Sequence, residues 1–125
     1  VVHLALGKRA RAQQMKFLCR ELDSRRNLVV MGEFNTATDS PSVRAFCETM
    51  ALSAPTRGLA SDPAWQPQRA IAHGLVSARL EASAAEVFDV AFSDHSPLAI
   101  EIELPASLHL ESARPEITVE SGGWL

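Results

Sequence analysis

The 125-residue sequence has no long apolar run; the longest, such as Leu-Val-Val-Met at 28–31, spans a few residues. A membrane-crossing helix needs about 20, so none is expected. Cysteine is scarce. Cys19 and Cys47 both fall in helix-like patterns, which excludes a disulfide scaffold and reads them as reduced core thiols. No charged-then-apolar leader opens the chain, so no signal peptide is read and a cytoplasmic location is expected. Six glycines and seven prolines, without period, exclude a collagen-like chain. What remains is 46% hydrophobic and 22% charged, the balance of a globular chain of one-domain size.

The formal net charge of −3 hides an uneven distribution. Lys8, Arg9, Arg11, Lys16, Arg20, Arg25 and Arg26 make the first 26 residues basic, against only Glu21 and Asp23, and leave the remainder acidic. Such a cluster could meet a phosphate-bearing substrate, but charge on the exposed face of an amphipathic helix is the commoner cause. The chain starts at Val1 directly in a strand-like run, residues 1–6, which reads as the continuation of a longer chain.

Ala12, Met15, Leu18, Cys19 and Leu22 recur at helical spacing and predict a helix over about 9–24. Residues 28–31 form an unbroken apolar run, expected to be a strand covered on both faces and ended by Gly32. Ser40-Pro41 followed by Val43, Phe46, Cys47 and Met50 predicts a second, capped helix. Residues 53–69 carry three prolines and no period, hence a long loop, with Trp65 expected to anchor it. Strands are expected at 71–76, 87–92 and 98–104; in the last, Leu98, Ile100, Ile102 and Leu104 alternate with Ala99, Glu101 and Glu103. Residues 106–125 read as a poorly ordered tail.

Three clusters at strand ends carry chemistry: His3 in Val-Val-His-Leu, Glu33 and Asn35 in Gly-Glu-Phe-Asn, and Asp94 and His95 in Ser-Asp-His-Ser-Pro. Taken singly, a strand histidine is more often packed than catalytic, and Asn or Asp-His before proline suits a turn. An adjacent carboxylate and imidazole can also ligate a hard cation and protonate a phosphate oxygen. The ordered series makes coincidence a poor explanation.

That series resembles the endonuclease/exonuclease/phosphatase superfamily over residues 1–105, as the C-terminal half of such a domain. The resemblance rests on Val-Val-His-Leu, Leu-Val-Val-Met-Gly-Glu-Phe-Asn for the usual Gly-Asp-Phe-Asn, Ser-Asp-His-Ser-Pro, and a 65–77 stretch similar to the segment that carries Ile-Asp-His. It implies an α/β (α+β) fold: half of a four-layer α/β/β/α sandwich, one mixed sheet with helices on one face. It also implies a phosphoesterase dependent on Mg²⁺ or Mn²⁺. His3 would contact the scissile phosphate, Asn35 would orient the nucleophile or stabilise the phosphorane, and Glu33 would position or deprotonate water. Asp94, with Glu33, would serve the metal, and His95 would bond a phosphate oxygen in the transition state.

Two departures stand out. Glu33 is one methylene longer than the family's Asp, and Ala72 lies where the family has the Asp that pairs with the Ser-Asp-His histidine, so His95 is expected to lack an orienter. The isolated chain is therefore expected to have weak or negligible activity. The alternative is a non-catalytic interaction module or degenerate fragment of the fold. Nucleic acid, phospholipid and inositol phosphate all remain open as substrates, and self-association through an uncovered sheet face is expected.

Overall fold

The structure, a computed structural model, describes residues 1–22, 27–90 and 92–108. Its order is β1 (Val2–His3), α1 (Lys8–Glu21), β2 (Val29–Glu33), α2 (Pro41–Met50), β3 (Leu52–Ser53), β4 (Ala72–Ser77), β5 (Glu81–Val87) and β6 (Leu98–Glu103). The architecture is α+β: a mixed four-stranded sheet ordered β1-β2-β4-β3, two helices, and a separate β5–β6 pair. Among the described residues no helix is long and apolar enough to cross a membrane. The end of the first expected helix, at 23–24, and most of the expected tail, at 109–125, lie outside the described residues.

The periodicities explain which faces are buried. Met15 from α1 and Val43, Phe46 and Met50 from α2 meet Leu4, Val30, Phe34 and Leu75 in one core, with Leu18, Cys19 and Leu22 packed against it. Val30 lies opposite Leu75 in the antiparallel β2–β4 ladder, so this pair marks the helix-covered face. The next pairs, Met31 with Gly74 and Glu33 with Ala72, alternate between faces, which places them on the opposite one. The basic side chains Lys8, Arg9, Lys16 and Arg20 are exposed on α1, as an amphipathic helix dictates, whereas Arg11 is buried and donates to the carbonyls of Ala5 and Leu6 at 3.1 and 2.8 Å. Its fork ties the start of the helix to the exit of β1.

α2 begins as its sequence signals: the Ser40 hydroxyl accepts from the Val43 N–H, Pro41 occupies the first turn, and Ala51 ends the helix in the left-handed region. Cys19 and Cys47 are free, partly buried thiols whose pKa values burial pushes up, consistent with inert reduced side chains.

Four expectations are corrected. β1 is two residues rather than six. Gly32 does not end β2, which continues through it to Glu33; the backbone of β1 approaches so closely that a Cβ at Gly32 would lie 1.8 Å from the Val2 carbonyl oxygen, and φ is 143° there. Trp65 is 75% exposed and anchors nothing, while its neighbour Ala64 is buried. The strand expected at 87–92 forms instead at Glu81–Val87, an alanine-rich stretch with little intrinsic β preference that acquires its conformation by pairing with β6. Beyond Val87 the Phe88 N–H still reaches the Pro97 carbonyl at 2.9 Å, but Val90 then bonds back to Phe88 and the chain leaves the ladder.

The β5–β6 pair also changes the picture of a bare sheet face. Gly74, on the face away from the core, leaves a notch that Ile100 of β6 fills: a Cβ at Gly74 would sit 2.0 Å from Ile100 Cδ1. Part of that face is thus covered from within the chain.

Candidate functional site

β1 and β2 run parallel with Val2 opposite Gly32 and His3 opposite Glu33. Because Val2 faces the core, His3 and Glu33 share the face away from the helices. His3 Nε2 lies 3.5 Å from Glu33 Oε2, the histidine well exposed and the carboxylate largely covered. The same oxygen stands 3.9 Å from His95 Nε2. Two imidazoles from opposite ends of the sequence therefore face one carboxylate oxygen.

Asn35 closes the end of this parallel pair. It adopts the left-handed conformation, φ 53°, which Asn tolerates better than most residues, and its Nδ2 donates to the Leu4 carbonyl at 2.7 Å. With Leu4 N–H donating to the Glu33 carbonyl at 2.8 Å, this bond fixes the spacing of the strand ends that present His3 and Glu33.

Asp94 lies beside this group in sequence but is engaged differently. It is exposed, and the Ser93 hydroxyl donates to its Oδ1 at 2.9 Å; that bond is the main reason its carboxyl titrates below the ordinary range. The donor set does not fit a divalent cation. Among the described residues no group of three or more His, Cys, Asp or Glu side chains could hold a metal ion, and Glu33 presents its Oε2 to two imidazoles rather than to a second carboxylate.

The residue sequence reasoning missed is Asp62. This buried carboxylate, from the loop between β3 and β4, places Oδ1 3.3 Å from His95 Nε2, and its Oδ2 is ion-paired with Arg69. The expectation that Ala72 leaves His95 without a carboxylate partner is therefore corrected: the partner comes from a loop rather than from the head of β4. No periodicity marks such a residue; the available signal was that the 53–69 loop is long and proline-rich.

His73, next to Ala72, belongs to the core face. Its Nε2 donates to the Thr36 carbonyl at 2.6 Å, its ring is tilted against Phe34 at 5.4 Å between centroids, and Nδ1 is buried with no hydrogen-bond partner among the described residues. Burial pushes its pKa below the ordinary histidine value.

The mixed four-stranded sheet with its two helices is a partial endonuclease/exonuclease/phosphatase-like fold. Solved structures of this kind superpose on the chain. It is similar to a conserved Enterococcus faecalis protein of unknown function with a TM-score of 0.69 and 20% identity, covering 82% of this chain and 48% of that one. It is similar to an endonuclease/exonuclease/phosphatase from Beutenbergia cavernae, TM-score 0.63 and 16% identity, covering 77% and 31%. A mannosyl-6-phosphatase from Bacteroides thetaiotaomicron gives 0.60 and 19% identity, covering 78% and 47%. The chain thus spans a third to a half of the length of these proteins. No family model and no curated protein matches the sequence.

Proposed function

We propose that the chain carries the histidine-bearing part of a phosphate-ester hydrolase site. The observation that supports this reading most directly is the convergence of His3 and His95 on Glu33 Oε2, at 3.5 and 3.9 Å. The fold shared with a phosphatase and with endonuclease/exonuclease/phosphatase proteins supports it independently.

In this reading the imidazoles do the work that phosphate chemistry demands. A phosphoryl group entering between His3 and His95 meets two imidazoles, and in-line attack builds negative charge on its equatorial oxygens, which an N–H of His3 stabilises while the His95 ring lines the other side. Glu33, between them, holds the rings in place and accepts a proton from an incoming water. Asn35 keeps the two strand ends at fixed separation and contributes its amide to the same rim. Residues 1–105 act as one unit of this fold. Nucleic acid, phospholipid headgroup and inositol phosphate share the ester that these groups recognise.

The test is hydrolysis of mono- and bis-p-nitrophenyl phosphate by the full chain, with and without added Mg²⁺ or Mn²⁺. Slow turnover that falls at least tenfold in His95→Ala and in His3→Ala is the expected result. Turnover equal in wild type and both variants would overturn it.

A second reading, a non-catalytic phosphate-binding module, is favoured by one observation: among the described residues no group of three or more His, Cys, Asp or Glu side chains could hold a metal ion. Saturable binding of the ester without turnover, lost in the same variants, would select it.

A further inference from the structure

We propose that Asp62 is the positioning residue of His95, held by a loop clamp that substitutes for a strand-borne carboxylate. Its loop carries no helix or strand, yet the neck is closed as tightly as a ladder. Ser61 and Asp62 donate to the Arg69 carbonyl at 3.1 and 3.3 Å, and Gln68 and Arg69 donate to the Asp62 carbonyl at 3.0 and 2.9 Å. Two further backbone bonds then join this neck to the histidine segment. Ser96 N–H donates to the Ser61 carbonyl and Ala64 N–H to the Asp94 carbonyl, both at 2.7 Å. The residues flanking His95 are thereby bonded to residues close on either side of Asp62, and the two side chains are brought face to face.

The carboxylate is suited to the role. It is 4% exposed, so water is largely removed as a competing partner, and a buried carboxylate of this kind persists only where charge or donors meet it. Arg69 meets Oδ2, which leaves Oδ1 for the imidazole. Ser61 and Ser96 are buried as well, so the pair sits against a wall rather than at a free surface. A carboxylate oxygen 3.3 Å from Nε2 favours the neutral imidazole with its proton on Nε2 and its lone pair on Nδ1. Asp62 acts through His95 and touches no reacting atom. Its effect on turnover rests on the phosphate-ester reading above; its control of the ring does not.

The experiment is ¹⁵N NMR of histidine-labelled full chain in mildly alkaline buffer, with the His95 signals assigned by their loss in His95→Gln. Wild type is expected to show His95 as one tautomer, protonated on Nε2, and Asp62→Asn to show the averaged shifts of two. Identical His95 shifts in wild type and Asp62→Asn would overturn the proposal. Should Asp62→Asn fail to fold, Arg69→Gln at an exposed position releases Oδ2 and is expected to move the same signals partway; unchanged signals there count equally against it. Where the wild type hydrolyses p-nitrophenyl phosphate, Asp62→Asn is expected to lower kcat about tenfold or more with KM within twofold, and Asp62→Glu to recover part of it. Failure of the wild type to hydrolyse any ester counts against the phosphate-ester reading alone, because the tautomer measurement still decides the role of Asp62.

Discussion

His3 and Glu33 are directly opposed across the parallel β1–β2 pair, and the 3.5 Å between Nε2 and Oε2 is set by backbone register rather than by side-chain reach. A register fixed at Val2 opposite Gly32 leaves this pair no alternative face. The geometry of the site is therefore tied to a two-residue strand.

Glu33→Gln tests the shared carboxylate. Contacts as long as 3.5 and 3.9 Å, one of them to the well-exposed His3, contribute about 0–1 kcal/mol to stability, so Tm is expected to stay within a few degrees of wild type. Ester hydrolysis is expected to fall by about tenfold or more, because Gln neither accepts a proton nor balances two imidazoles. A variant with wild-type turnover would remove Glu33 from the site.

Gly32→Ala tests the dependence on β1. The added Cβ would overlap the Val2 carbonyl, where only backbone can give way, and φ of 143° is strained for any L side chain. A loss on the order of 3 kcal/mol is expected, read as a Tm lower by about 10 °C, together with faster amide exchange at Leu4. Unchanged Tm and exchange would mean that β1 is not seated as described.

His73 gives the fold a dependence on acid. Its folded pKa is depressed by burial, so the native state holds the neutral ring and disfavours the proton that the unfolded chain accepts near 6.5. The stability it contributes is complete above the unfolded value and is lost as pH falls from there through the folded value. Asp94, whose folded pKa is also depressed, contributes above the ordinary carboxylate value and loses its contribution only at lower pH. The urea midpoint is expected to decline from about pH 7 downward in wild type, and more shallowly in His73→Gln, whose amide can still donate to Thr36. Equal slopes in the two proteins would place the acid sensitivity elsewhere.

Which features were legible follows from the range of the interactions that fix them. α2 was readable to within a residue because Ser40, Pro41 and the Val43-Phe46-Met50 stripe act locally. β6 was readable because Leu98 to Glu103 alternate against a single neighbour. β5 was not, because Ala82, Ala84 and Ala85 carry no preference of their own and take their conformation from β6. At the site, His3, Glu33, Asn35 and His95 were visible as a series of strand-end residues, and the structure brings His3 and His95 to one oxygen of Glu33 while Asn35 bonds the strand beside them. Asp62 was invisible because its place depends on backbone bonds between two loops distant in sequence, and no spacing rule encodes that.

Association is expected where apolar side chains remain uncovered at the β1 edge. Val1, Phe17 and Val29 are exposed there, beside grooves lined by Val2, Leu18, Leu22 and Leu28. We expect sedimentation to show reversible, concentration-dependent dimers that Phe17→Glu shifts toward monomer. A wild-type monomer across the whole concentration range would contradict it.

The docking of the β5–β6 pair is expected to hinge on a single missing methyl. Gly74 faces Ile100, and an alanine there would drive its Cβ into Cδ1, which is the far end of a flexible side chain, and press Ile100 Cγ1 at 3.2 Å. Overpacking of this kind costs about 1–3 kcal/mol. Ile100→Val removes the δ-methyl and alone costs about 0.5–1.5 kcal/mol, as a small loss of buried carbon should. If the hairpin sits on β4 as described, the two changes compensate: Gly74→Ala with Ile100→Val is more stable than the sum of the single losses by about 1 kcal/mol, since the inserted methyl occupies the space the other vacates. Chemical denaturation of the four proteins closes the cycle. Strict additivity would show that Ile100 and Gly74 are not in contact in solution, and that the face of the sheet carrying Glu33 is more open than the packing of Ile100 makes it.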